Sequence, residues 1–525
     1  MNQRARFVRK IVYVCVIAAL LLPLSWLSQP ETSDSKGGLL AQMRKDNQLG
    51  QASLGEIDPA SETIKLATLG MRGVAANILW EKANYYKKVE DWSSYSAALE
   101  QITKLQPNFV SVWIFQGWNL SYNISVEFDD YRDRYFWVIK GIDFLKEGTA
   151  YNKDEPRLMS TIGHTIANKL GRADEHVQFR RLFREDDDFN GSRPLAQRDN
   201  WLVGREWMTA AEAVVDKGVP LKGESPLLFH THPAMCLINY CEALEEEGTF
   251  GEVAKNAWKK AADSWAELSN RDLPTVYSFT VRLGEKEAFQ QRSEQAQAEL
   301  NRLAPGLREK ISTEKLAALS LKEREAKDTS PEQLTAEERS TRHEADQKTE
   351  VSHLEVADHV TGENHAAALR AAEEATQADF IANAIETERG IINFDYWRLR
   401  CEIEPTDDSL SARKLVYDGD KAFLSVQLPQ ARDNYTEGFK KWRKLLDAHP
   451  KLLQSDPSLT DELVDSISHY QGVLHQLDEA FPHPFILQDV VDQDVAFHGQ
   501  RHGTFAPKPS DAGPPAAEPA AQAPK

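Results

Sequence analysis

The chain has 525 residues, 41% of them hydrophobic, and a formal net charge of −19. That apolar share can bury substantial cores, and the length allows several domains. The acidic balance excludes a nucleic-acid binder, which would need a basic footprint. Four cysteines, Cys15, Cys236, Cys241 and Cys401, are too few for a disulfide framework.

Arg4, Arg6, Arg9 and Lys10 precede an uncharged run over residues 11–27, IVYVCVIAALLLPLSWL. This is a signal-sequence layout at the lower length limit for a spanning helix, with Trp26 positioned for the far interface. No A-x-A site follows. An uncleaved signal anchor within residues 1–28 is therefore favoured, with a cleaved peptide as the alternative. The residues before Cys15 are Val12, Tyr13 and Val14, which do not make a lipidation site. The basic flank places the N-terminus inside, so the expectation is a single-pass cell (inner) membrane protein whose body is extracytoplasmic.

Residues 29–57 read as a polar tether. Asp58 and Pro59 then give a helix start. From 58 to 185 the pattern is helix, turn, helix, and an all-α fold is expected. Ala75, Ile78, Leu79 and Tyr86 fall at helical spacing, Asp91 caps the next helix, and Pro107 ends it. Trp113 and Gly117 lie four apart, and 34 residues earlier stand Leu79 and Ala83. Gly163 opens a third unit 46 residues after Gly117, with Phe179 sixteen later.

This arrangement resembles the tetratricopeptide repeat, whose W-x2-L-G core, tyrosine, phenylalanine and closing proline are matched in part. Gln116, Leu120 and Glu175 depart from it, and about a dozen residues are inserted between units two and three. The resemblance implies stacked helix pairs with a groove that takes protein partners. The phrases THPAMCLINYCEALEEEG, FGEVAKNAWKKAADSW and INFDYWRLRCEIE are also similar to a planctomycete group of membrane-anchored proteins of unknown function, sometimes labelled iron-responsive-element proteins.

Residues 186–284 read as an irregular loop plus a helix pair, the loop running to Pro233 with one helix over Trp201–Val215. The pair, Pro233–Glu247 and Phe250–Leu268, follows, and then a short extended segment at Tyr277–Leu283. Residues 285–360 are rich in Glu, Lys, Arg, Gln and Ala. They read as long charged helices, a coiled-coil hairpin broken near Pro305 and Pro331, or as partly disordered. Helical repeats return over 361–498, including Ser409–Leu424, Pro429–Ala448 and Thr460–Phe481. The pair around Tyr435, Phe439, Trp442 and Leu446, closing at Pro450, is again tetratricopeptide-like. Residues 499–525 form a Pro/Ala tail read as disordered.

Two clusters invite a metal. In DDDFNG, Asp186, Asp188, Asn190 and Gly191 match the start of a calcium loop, but Gln197 stands where the chelating glutamate belongs, so an acidic turn is preferred. His230, His232, Cys236 and Cys241 carry zinc-type donors, yet the two cysteines lie five apart on one helix, so buried apolar thiols are preferred. No G-x-S-x-G, Walker loop or H-E-x-x-H occurs. No catalytic, cofactor-binding or metal-binding residue and no cofactor is assigned, and the chain is not read as an enzyme. The aromatic residues Tyr86, Trp113, Trp118 and Trp137 are the best candidates for a binding surface, each weighed against a place in the core. The function expected is a membrane-anchored helical-repeat scaffold for protein partners; a metal-binding protein or enzyme on helical repeats, or a self-assembling envelope protein, are the alternatives.

Overall fold

The computed structural model describes residues 72–498 apart from 222, 276–278, 331–332 and 455–457, together with 38, 39 and 42. The N-terminal anchor, the tether apart from residues 38, 39 and 42, the helix start at Asp58–Pro59 and the C-terminal tail lie outside the described residues. Among those described, no helix is long and apolar enough to cross a membrane. Among the described residues the fold is all-α except for one pair of two-residue strands. It divides into two units, residues 1–240 and 241–525.

The first unit is built from helical hairpins. Helix α1 (Arg72–Lys88) turns at Glu90 into α2 (Trp92–Leu105), with Asp91 accepting a hydrogen bond from the Ser94 amide. That cap satisfies an otherwise orphaned donor. Pro107 follows the helix end, and its carbonyl accepts from Trp113 Nε1 and Asn152 Nδ2, both at 2.8 Å. The turn is thus pinned by the helices on either side of the next hairpin. These are α3 (Val110–Trp118), continuing into a π turn (Asn119–Ile124), and α4 (Tyr131–Tyr151).

The same construction recurs. Helix α5 (Pro156–His164) continues into a second π turn (Thr165–Lys169) and the short α6 (Leu170–Arg172). Val110 and Pro156 open the two helices, and Asn119 and Thr165 open the two π turns, each pair 46 residues apart. Helices α7 (His176–Glu185) and α8 (Asp187–Asn190) follow, and only then α9 (Asn200–Val215). Phe179, expected as the second-helix phenylalanine of the third unit, lies on α7, buried with Phe183 in a core shared with Tyr135 and Leu158. The glycine-mediated approach to α5 is made by α9 instead. A Cβ on Gly163 would sit 2.7 Å from the Gly204 carbonyl, and one on Gly204 would sit 2.7 Å from the Gly163 carbonyl. Backbone must be bare on both sides for the helices to meet this closely. Helix α10 (Pro226–Glu246) ends the unit at Tyr240. It starts seven residues before the expected Pro233, which lies inside it, and Arg205 Nε donates to the Pro233 carbonyl at 3.2 Å.

In the second unit, α11 (Glu252–Asn270) carries the apolar stripe Ala254, Ala257, Trp258, Ala261 and Trp265, all buried. The extended segment expected over 277–283 is β2 (Thr280–Val281), paired antiparallel with β1 (Leu273–Pro274). The charged region is not a pair of long helices. It runs α12 (Lys286–Leu303), α13 (Leu307–Ala318), α14 (Leu321–Asp328), α15 (Ala336–Thr349) and α16 (His353–Asp358). Capping boxes at Ser320/Glu323 and Thr335/Glu338 set the starts of α14 and α15. The long-range partner of α12 is α17 (His365–Ile391), bridged by Lys286–Glu386, Arg292–Glu374 and Arg389–Glu287 pairs. Small residues on α17, among them Ala368, Ala372, Ala375 and Ala378, are buried. The apolar seam is shared: Leu300, Ala304 and Ile311 of the charged region pack in one core with Val356, Ala357, Ala368 and Ala372.

Helices α18 (Phe394–Ile403), α19 (Asp407–Leu424), α20 (Leu428–Ala448), α21 (Lys451–Gln454), α22 (Ser458–Gln476) and α23 (Gln488–His498) complete the unit. Tyr435, Phe439, Trp442 and Leu446 are all buried on α20, and Gly419 of α19 gives room for the Tyr435 ring, 2.9 Å from its would-be Cβ.

Candidate interaction surface

The four aromatic candidates divide by burial. Trp113 is core: 2% exposed, its ring lies flat against bare Gly148 and 4.7 Å from the Phe144 ring. Tyr86 and Trp137 are half-buried, the latter stacked on Phe128, with Lys140 over its ring at 4.6 Å. Trp118 is 43% exposed.

Trp118 belongs to a column of rings. Trp80 of α1 lies 5.7 Å from Phe115 of α3, Phe115 lies 6.3 Å from Trp118, and Trp118 stacks at 6.2 Å on Tyr122 of the π turn. Residues 115, 118 and 122 share one helical face, and the wider π turn carries Tyr122 onto it. Lysines lie over two of the rings, Lys87 over Phe115 at 5.8 Å and Lys169 over Tyr122 at 5.1 Å. Burial pushes the Tyr122 hydroxyl up to about 12 and holds the Lys169 amine below its ordinary value. The sequence signal for this column was the W-x3-G spacing, but the exposure of Trp118 depends on which side of α3 faces α4.

Most of the metal candidates are otherwise engaged. Asp186 Oδ1 caps α8 through the Phe189 amide, while its Oδ2 accepts from the Tyr135 hydroxyl at 2.8 Å. Asp187 pairs with Arg198 at 2.6 Å, and Asn190 Nδ2 donates to the Phe183 carbonyl at 2.6 Å. His230 Nδ1 lies 3.1 Å from Glu212. Cys236 Sγ lies 3.4 Å from Met208 Sδ, and burial pushes its thiol up to about 12. Cys401 is likewise pushed up to about 12 by burial, and Cys241 further. Among the described residues no group of three or more His, Cys, Asp or Glu is arranged to hold a metal ion.

One constellation was not legible in advance. In the second unit, Arg413 grips Glu404 through Nε and Nη2, at 2.6 and 2.5 Å, and also pairs with Glu462. Arg400 bonds Glu404 at 3.1 Å and Glu242 at 2.9 Å. Ser409 Oγ donates to Glu404 at 2.6 Å, and Trp258 Nε1 donates to Glu245 at 2.7 Å. The two arginines hold the Glu404 carboxyl down, against the pull of burial. Glu245 is pushed up to about 8 by burial; its Oε2 lies 3.4 Å from Arg413 Nε without making a hydrogen bond. Arg400, Glu404, Arg413 and Glu245 are all nearly inaccessible to solvent, which makes this a structural ion network closed to a substrate. In an acidic sequence nothing marks these four glutamates apart from their neighbours; only the i, i+4 spacing of Arg400 and Glu404 is a local hint.

No protein-family model, no curated protein and no solved structure matches the chain.

Proposed function

We propose that the protein is a membrane-anchored helical-repeat scaffold, of tetratricopeptide-like construction, that binds protein partners on the extracytoplasmic side through the ring column of its first unit. The observation that carries this reading is the exposed Trp118, stacked on Tyr122 and tilted against Phe115, with a lysine over each of those two rings. A ring left 43% exposed on an ordered column offers a rigid apolar anchor at low entropic cost, as interface hot spots do. The 46-residue recurrence of helix and π turn supports the repeat reading. Anchoring rests on the apolar run over 11–27 with its basic flank.

A photocrosslinking amino acid at position 118 tests the surface in cells. Discrete crosslinked partners are expected there, with none from position 177 on α7, whose valine is also exposed. Equal labelling from both positions would overturn the reading. Protease added to intact spheroplasts should digest the body while a membrane-bound N-terminal fragment persists; a protected body would refute the topology.

A further inference from the structure

Helix α1 is apolar on two opposite sides. On one, Ala76, Leu79, Trp80, Ala83 and Tyr86 pack into a core with Tyr95, Ala98 and Leu99 of α2. On the other stand Val74, Ile78, Tyr85 and Val89, exposed by 56%, 55%, 62% and 52%. Their spacing of four, seven and four residues keeps them on one helical face. The Val89 amide donates to the Tyr85 carbonyl at 3.2 Å, which carries that face just past Lys88. Among the described residues no other helix exposes three large apolar side chains. Single exposed apolar residues are ordinary on a protein surface, but a stripe of them marks an interaction. The end of a stack of helical hairpins stays soluble by turning a polar face outward, and α1, the first described helix of the stack, turns an apolar one.

Charge narrows what covers this face. Helix α1 carries Arg72, Lys82, Lys87 and Lys88 against Glu81 alone, in a chain whose net charge is −19. By helical position Lys82 and Lys88 flank the stripe on either side, with Glu81 at its edge. Two copies of so basic a helix repel each other, whereas an anionic surface draws it in and pushes the acidic remainder away. The bilayer is the surface at hand, since only residues 28–71 separate α1 from the apolar run over 11–27. We infer that α1 lies on an anionic membrane surface, with Val74, Ile78, Tyr85 and Val89 in the headgroup layer and Lys82 and Lys88 against lipid phosphates. Interfacial helices of this kind combine apolar area with cations, and a tyrosine ring suits the boundary. Trp80, on the opposite side of α1, packs 5.7 Å from Phe115, so the ring column stays open to protein partners. The inference rests on the membrane anchoring proposed above and adds to it a second contact, which sets the side of the first unit that faces the lipid.

The test uses the full chain with Cys15→Ser, reconstituted into vesicles of phosphatidylcholine with or without phosphatidylglycerol. A fluorophore is attached at Ile78→Cys or, as a control, at Val177→Cys, an exposed position on α7; Cys236, Cys241 and Cys401 are buried and escape labelling. A quencher carried on the lipid acyl chains reads insertion, and melting curves check that each variant is folded. Quenching is expected at position 78 and not at 177, stronger with phosphatidylglycerol and weakened by salt. The ratio of inserted to free label should fall about fivefold for each of Lys82→Gln and Lys88→Gln, the loss of one surface cation. It should rise in Glu81→Lys, a gain that a damaged fold would not give. Equal quenching at both positions, none at 78, or quenching at 78 indifferent to lipid charge overturns the inference. So does a label at 78 that is shielded from water yet out of reach of the quencher, which would mean that upstream residues of the chain or a second copy cover the stripe. Extraction with alkaline carbonate separates this inference from the anchoring beneath it. A chain that resists extraction without quenching at 78 sinks the inference alone, whereas a chain that is quenched at 78 but released by carbonate sinks the anchor alone.

Discussion

Replacing Gly163 or Gly204 with alanine tests the hairpin geometry most directly. A new Cβ at Gly163 would stand 2.7 Å from the Gly204 carbonyl and 3.1 Å from the Met208 amide nitrogen; one at Gly204 would stand 2.7 Å from the Gly163 carbonyl and 3.0 Å from the Ala167 amide nitrogen. Ordinary contact begins near 3.4 Å, so α5 and α9 must separate by about 0.7 Å. The obstacles include backbone, which no rotamer change can move. Overpacking of this kind costs about 1–3 kcal/mol, and alanine returns about 1 kcal/mol of helix propensity. Each single variant should therefore lose up to about 2 kcal/mol. The double variant should lose less than the sum, because one separation accommodates both methyl groups. Gly390→Ala on α17, where a Cβ meets nothing within 4 Å, is the reference and should gain up to about 1 kcal/mol. Urea denaturation followed by circular dichroism reads all four proteins. If the Gly163 and Gly204 variants are as stabilised as the Gly390 variant, the close crossing of α5 on α9 is wrong.

Gly117→Leu should cost about 1–3 kcal/mol by driving into the fully buried Leu145 side chain, read as a lowered melting temperature. Glu245→Gln should change the pH dependence of stability. Its carboxyl is held up to about 8 in the folded chain against an ordinary 4.5, so the wild type loses stability as pH rises between those values, whereas glutamine does not. Denaturation at pH 5 and pH 8.5 should show the variant gaining on wild type only at the higher value; a constant offset would refute the assignment. Arg413→Ala leaves Glu404 and Glu245 without their shared cation and should destabilise the second unit by about 3–5 kcal/mol in chemical unfolding. EDTA should leave the melting curve unchanged; a loss restored by calcium or zinc and abolished by Asp186→Ala or Cys236→Ser would promote a metal-binding function.

What the sequence determined by itself is the local grammar. Apolar residues at helical spacing located α9, α11, α19, α20 and α22 to within a few residues, except the C-terminal end of α22, because a helix start or stop is written in neighbouring caps, prolines and glycines. Asp91 caps α2 as its position implied, and Trp113, Tyr435 and Phe439 are core as a repeat requires. Tertiary structure decided which helices pair. Gly163 was read as the start of a third hairpin, but whether α7 or α9 closes on it depends on a backbone contact 41 residues along the chain, at Gly204. The charged region reads as a hairpin of its own, yet its buried residues, Leu300, Ile311 and Val356 among them, share a core with Ala368 and Ala372 of α17, beyond it. The meeting of Arg413, Glu404 and Glu245 has no local signature at all. A charge is paired or left free by what the fold brings within a few ångströms, and in a chain this acidic every arginine has many carboxylates it might have met.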